Sequence, residues 1–105
     1  MGLTFKENCP DTRNSKVLNL FNHFEQDKFN ISSFDPFSKN WSYEFKKKFN
    51  IQENLKNKKF DVVILAVKHK KFLNMKSQIK KLTKKNGFIY DLKYLFPETQ
   101  EIYRL

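Results

Sequence analysis

One stretch, Asp61-Val62-Val63-Ile64-Leu65-Ala66-Val67, limits the possible folds of this chain more than any other. After its first residue it is continuously apolar and largely β-branched, with no alternation. A strand with one face in water alternates, whereas a strand covered on both faces of a parallel sheet reads as an unbroken apolar run. Parallel neighbours cannot be joined by a tight hairpin. They need crossover connections, usually helices.

The rest of the sequence supplies those connections. Val17, Leu18, Phe21 and Phe24 fall at i, i+1, i+4 and i+7, which predicts a helix over about Ser15–Gln26 with Asn14 or Ser15 as its cap. Trp41, Phe45 and Phe49 stand four apart and predict a second helix, about Asn40–Lys48. Phe72, Met75, Ile79 and Leu82 predict a third over Lys70–Lys85, stopped by Asn86-Gly87. Short strands are expected at Leu3–Phe5, at Ile31–Phe34 (closed by Asp35-Pro36) and at Phe88–Tyr90 before Asp91. Leu3–Phe5 is shorter than the ~5–6 residues of a usual strand, which suggests that this strand starts upstream. The tail, Leu92–Leu105, has room for one last short helix or strand. The order β-α-β-α-β-α-β implies an α/β fold, a three-layer Rossmann-like sandwich with a short, mostly parallel sheet and right-handed crossovers.

Size and composition narrow the partners. At 105 residues the chain is a single domain, too small to hold a cofactor domain and a substrate domain together. No run approaches the ~20 apolar residues that span a bilayer. No charged segment leading into an apolar one marks secretion, and a cytoplasmic location is expected. The single cysteine, Cys9, makes an internal disulfide impossible and suits a reducing compartment. Without a histidine near it in sequence, Cys9 reads as a loop thiol rather than a nucleophile. The net charge of +10 points to an anionic partner: nucleic acid, a membrane surface or a phosphate ligand. The basic residues are lysines apart from Arg13 and Arg104. Dedicated nucleic-acid readers lean on the bidentate fork of arginine, so much of this charge reads as a solvated surface.

Open parallel sheets bind ligands beyond the carboxyl ends of their strands. Those ends gather Lys6, then Asp35, then Lys68 and His69, then Asp91 and Lys93. The loop after the first strand contains no glycine, so its backbone cannot approach a pyrophosphate as a Gly-x-Gly-x-x-Gly turn does. Anion recognition here would use the side chains of Lys6 and Arg13 with the amino end of the helix that follows. Each residue also has a plainer role. Lys6 would be a strand-end surface lysine, and Arg13 a helix-entry partner of Asp11. Asp35 is either a ligand for a ribose hydroxyl or a turn former, and His69 either caps its helix or meets a ligand. His23 looks structural or exposed. No second histidine or cysteine lies close to His69, so a metal site is not expected.

The segments Gly2-Leu3-Thr4-Phe5-Lys6 and Asp11-Thr12-Arg13-Asn14-Ser15 resemble the UDP-glucose/GDP-mannose dehydrogenase family. The C-terminal domain of that family opens with Gly-x-x-Phe-Lys followed by Asp-x-Arg-x-Ser. The resemblance continues through Phe34-Asp35-Pro36, the Asp61–Val67 strand with His69 and Phe72, and Ile89-Tyr90-Asp91-Leu92-Lys93. The ending Tyr103-Arg104-Leu105 is similar to bacterial members that oxidise UDP-N-acetylhexosamines. The resemblance implies a UDP-sugar-binding domain of an NAD-dependent UDP-sugar 6-dehydrogenase making UDP-uronic acids for surface polysaccharide. In such enzymes an N-terminal domain binds NAD, and a helical middle domain carries the catalytic cysteine and builds a homodimer. It implies that Phe5, Lys6 and Lys93 contact the UDP-sugar and that Arg13 reaches toward the NAD. Lys93 stands where many members have Arg, and the planar fork is lost there. No catalytic residue is expected within the chain, which alone would be inactive. The competing reading is a small basic module that binds nucleic acid or another polyanion.

Overall fold

The computed structural model describes residues 1–104; Leu105 of the terminal segment lies outside the described residues. In chain order the elements are α1 (Lys16–Gln26), a 3-10 turn (Ser38–Asn40), α2 (Tyr43–Lys48), β1 (Phe60–Leu65), α3 (Lys70–Leu73), α4 (Lys76–Lys81), β2 (Thr83–Asp91) and β3 (Ile102–Arg104). The three strands form one sheet in the order β1-β2-β3, and both pairings are parallel. This is the α/β architecture that the apolar run and its flanking helices predicted.

The sheet continues sideways through a few backbone bonds. The amino group of Met1 donates to the Ile64 carbonyl. Ala66 N–H donates to the Met1 carbonyl at 2.9 Å, and Gly2 N–H to the Phe34 carbonyl at 2.9 Å. Ser33 in turn pairs in parallel with Ile51. From one edge to the other the chain therefore runs Ile51, Ser33–Phe34, Met1–Gly2, β1, β2, β3. It winds outward in both directions from the boundary between Met1–Gly2 and β1, the switch point at which open sheets bind ligands.

Two apolar clusters hold this arrangement. Val63, Leu65, Ile89 and Ile102, on one face of β1–β3, pack with Phe72, Ile79, Leu82, Leu95 and Phe96. Leu3, Phe21 and Phe49 form the second cluster, with Val17, Leu18, Ile31, Trp41, Phe45 and Ile51 against it. The predicted face of α1 is the face it buries. In α2, Ser42 caps the helix by accepting from Phe45 N–H at 3.2 Å. The four-residue spacing brings Trp41 to 5.3 Å from Phe45, and Phe45 to 4.7 Å from Phe49, between ring centroids.

Several local expectations change. Leu3–Phe5 and Ile31–Phe34 are not regular strands; the sheet is joined instead by isolated bonds at Met1–Gly2 and at Ser33–Phe34. The predicted Lys70–Lys85 helix is two short helices. Asn74 and Met75 form a turn, with Met75 N–H donating to the Phe72 carbonyl at 3.0 Å, and this turn lets both Phe72 and Ile79 reach full burial. Thr83–Lys85 already belong to β2, since pairing of Thr83 with Phe60 overrides weak helical preference. Gly87 is accordingly not a helix stop. It sits where the β1–β2 register shifts, and a Cβ there would lie 2.7 Å from the Asp61 carbonyl oxygen. Cover on β1 is uneven: Val63 and Leu65 are buried, whereas Val62 is 41% exposed.

Candidate functional site

A cleft of about 210 Å³ opens at the carboxyl ends of the strands, at the switch point. Its lining comes from four places. The segment after Met1–Leu3 gives Thr4, Phe5, Lys6 and Glu7, and the start of α1 gives Asn14 to Val17. The end of β1 gives Ala66, Val67 and Lys68, and the turn after β2 gives Lys93. Phe5, Lys6 and Lys93, singled out from sequence, are thus brought together from positions far apart in the chain. Lys68, expected at a strand end, joins them.

Local sequence chemistry places each group. Gly2 adopts φ +86°, and a Cβ there would lie 2.7 Å from Val67 Cβ, so only glycine lets this segment run so close to the end of β1. The segment then turns, with Phe5 N–H donating to the Asp11 carbonyl at 2.7 Å. Asn8 and Asn14 take positive φ (58° and 59°), a conformation asparagine tolerates better than most residues. The Phe5 ring is left 57% exposed at the mouth. Asp91, fully buried, accepts from Lys93 N–H at 3.2 Å and Phe96 N–H at 2.9 Å, and so builds the turn that presents Lys93.

The electrostatics are one-sided. Four lysines (Lys6, Lys16, Lys68 and Lys93) line the cleft against one acid, Glu7. The amino end of α1, which carries no acidic residue in its first turn, adds the positive end of a helix dipole. Lys16 was not anticipated; as the first residue of a helix that opens on a strand end, its position alone could have marked it. Ser15 stands at the cap position but does not cap. Its hydroxyl donates to the Thr4 carbonyl at 3.3 Å and ties α1 to the Phe5–Lys6 segment. This concentration of charge suits a compact polyanion such as a diphosphate.

Other candidates fall elsewhere. Arg13 lies beside the cleft and does not line it. Its Nε and Nη2 donate to the two Asp11 carboxylate oxygens, each at 3.0 Å, and its side chain is 87% exposed. The guanidinium holds the Asp11 carboxyl below the usual carboxylate range, and the carboxylate raises Arg13 in return. The helix-entry ion pair is therefore what forms. Asp35 is a turn former, not a ribose ligand: it is buried and accepts from Phe37 N–H and Leu3 N–H, both at 2.8 Å. His69 occupies the cap position of α3 without capping it and is wholly buried against Asp35. Cys9 is a free, half-buried loop thiol, and His23 is exposed in the last turn of α1. No helix among the described residues is long and apolar enough to cross a membrane.

Comparison with known proteins fits this geometry. The model of the UDP-glucose/GDP-mannose dehydrogenase family, UDP binding domain, matches residues 1–98. The chain belongs to this family. As its UDP binding domain, the chain is 38% identical over 106 residues to the UDP-N-acetyl-D-glucosamine 6-dehydrogenase of Pseudomonas aeruginosa and 33% identical over 108 residues to that of Salmonella typhi. It covers 100% of itself and 25% of each relative, about a quarter of their length. In three dimensions 98% of this UDP binding domain superposes on 26% of GDP-mannose dehydrogenase from P. aeruginosa, solved as a ternary complex, with a TM-score of 0.72 at 17% identity. That likeness establishes the shared fold.

Proposed function

We propose that the cleft holds the nucleotide diphosphate of a UDP-sugar and that this chain supplies that half of the site to a UDP-sugar 6-dehydrogenase. The observation that carries the reading is the meeting of Phe5, Lys6 and Lys93 with Lys16 and Lys68 at one switch-point cleft. Lys6, Lys68 and Lys93 neutralise the two phosphates, each as a point charge. The exposed Phe5 ring offers an apolar face to the uracil or the sugar. The first relatives act on UDP-N-acetyl-D-glucosamine, so a UDP-N-acetylhexosamine is the substrate class, and the uronic acid product serves surface polysaccharide synthesis in the cytoplasm.

NAD belongs to another part of the assembled enzyme. The Phe5–Ser15 loop has no glycine to admit a pyrophosphate backbone-first, and Arg13 is an exposed cation engaged by Asp11. These residues do not fit a dinucleotide site of their own, and Arg13 contributes only at the edge, once an NAD-binding domain faces it. The catalytic cysteine and the helical dimer core likewise lie in that larger assembly, a homodimer. The 105 residues alone bind without oxidising.

Titration of the ¹⁵N-labelled chain with UDP tests this. Amide resonances of Phe5, Lys6 and Lys93 are expected to shift in a saturable manner, and those of α2 to stay put. An unchanged spectrum at millimolar UDP refutes the reading.

A further inference from the structure

The densest buried polar cluster lies behind the cleft. His69 (0% exposed), Asp35 (1%) and Thr4 (1%) meet out of reach of solvent. His69 Nε2 stands 3.0 Å from Asp35 Oδ2 and 3.2 Å from Thr4 Oγ1, while Nδ1 accepts Asn8 N–H at 3.0 Å. A backbone N–H can only donate, so Nδ1 carries no proton and the imidazole hydrogen sits on Nε2. Asp35 and Thr4 are the acceptors within its reach. The Thr4 hydroxyl passes its own hydrogen to the Lys6 carbonyl at 2.8 Å. Asn8 Oδ1 closes the ring by accepting Lys70 N–H at 2.8 Å, and Asp35 Oδ2 also accepts Leu3 N–H at 2.8 Å. Thr4 and Asn8 are thus bonded directly to one neutral imidazole, and Leu3 to its partner Asp35, with Phe5 and Lys6 held between Thr4 and Asn8.

We infer that His69 is a positioning residue for ligand binding: through Asp35, Thr4 and Asn8 it sets where Phe5 and Lys6 stand at the cleft. The inference rests on the reading of that cleft as a UDP site. His69 does not line the cleft. Its effect comes from directionality, because it is a donor toward Asp35 and an acceptor toward Asn8. A glutamine can offer both functions; a leucine offers neither, so Asn8 N–H loses its acceptor and the buried Asp35 carboxylate keeps only the Leu3 and Phe37 N–H donors.

The test compares the 105-residue chain with His69→Gln and His69→Leu, each titrated with UDP and followed by amide hydrogen exchange. His69→Leu is expected to weaken UDP binding about tenfold, as loss of one buried hydrogen bond does, and His69→Gln to recover most of it. Exchange at Asn8 should accelerate in His69→Leu while Ile89, bonded to the Glu101 carbonyl in the sheet, keeps its protection. Imidazole ¹⁵N shifts of the unsubstituted chain provide a readout that needs no variant to fold, and they should show the Nε2–H tautomer. A leucine variant that binds UDP as tightly as the parent overturns positioning and leaves the UDP site standing. An Nδ1–H tautomer also overturns it. A parent chain that ignores UDP removes the functional reading and the positioning role with it.

Discussion

The N-terminal amine should make this fold sensitive to pH in a window where few other groups titrate. Met1 is half-buried, and its ammonium donates to the Ile64 carbonyl beside β1. Burial lowers its pKa from 8.0 to about 6, although the Asp35 carboxylate partly opposes the shift. Between these values the unfolded chain holds a proton that the folded chain does not, so stability rises with pH across the window. The stabilisation is complete above pH 8, falls as pH drops, and is lost by about pH 6. Two pH units correspond to about 3 kcal/mol, to order of magnitude. Acetylating the amine removes the charge and keeps an N–H donor. Urea unfolding of free and acetylated chains, with Met1 retention checked by mass, isolates the effect, because every other titrating group is common to both. The two should coincide at high pH. Below the window the free chain should unfold about 1–3 M urea earlier. If both chains lose the same stability on acidification, the reasoning fails, and Met1 is then solvated rather than buried in the sheet.

Further outcomes follow from the cleft and its scaffold. Lys6→Ala and Lys93→Ala should each weaken UDP binding roughly tenfold by calorimetry at low salt, and Lys93→Arg should tighten it through the bidentate fork. Arg13→Ala should leave UDP affinity of the isolated chain within about twofold, since an exposed ion pair contributes little; a tenfold loss would place Arg13 in the nucleotide site itself. Gly2→Ala forces a side chain against Val67 at a positive φ, so chemical denaturation should show a loss of about 1–3 kcal/mol. Phe72→Ala empties the centre of the larger cluster and should cost about 3–5 kcal/mol in the same measurement.

What the sequence disclosed, and what it hid, divides along the reach of the interactions. The Asp61–Val67 run announced β1 by its unbroken apolar, β-branched signature even though only Val63 and Leu65 of the strand are buried, and α1 was legible because its apolar face lies on one cluster. The Asn74–Met75 break was not, because Phe72 and Ile79 keep helical spacing across it while the chain turns to bring Thr83 alongside Phe60. Gly87 looked like a helix stop because a stop and a close strand approach both demand glycine. At the site, Phe5, Lys6 and Lys93 were legible from strand ends and from the family pattern. The bonds from His69 to Asp35, Thr4 and Asn8 span 34 to 65 positions in sequence, and no local pattern reports contacts of that length.

The distribution of aromatic rings decides what kind of anion such a basic chain meets. A binder of single strands needs successive exposed rings along a positive groove, one for each base. Here eight of the rings are spent on packing: Phe21, Phe49, Phe72 and Phe96 are buried, and Trp41, Phe34, Phe45 and Phe60 pack against the clusters they belong to. Of the exposed rings, Tyr94 lies 4.3 Å under Arg104, and Tyr103 meets Phe88 at 5.1 Å. Phe5 alone among the described aromatic residues lines the cationic cleft. One ring beside four lysines matches one nucleotide diphosphate and not a polymer. Those lysines also repel one another across a small space, and a diphosphate bound among them would relieve that repulsion and stabilise the fold. On the proposed reading of the cleft, the same placement of charge couples UDP binding to folding in one linked equilibrium.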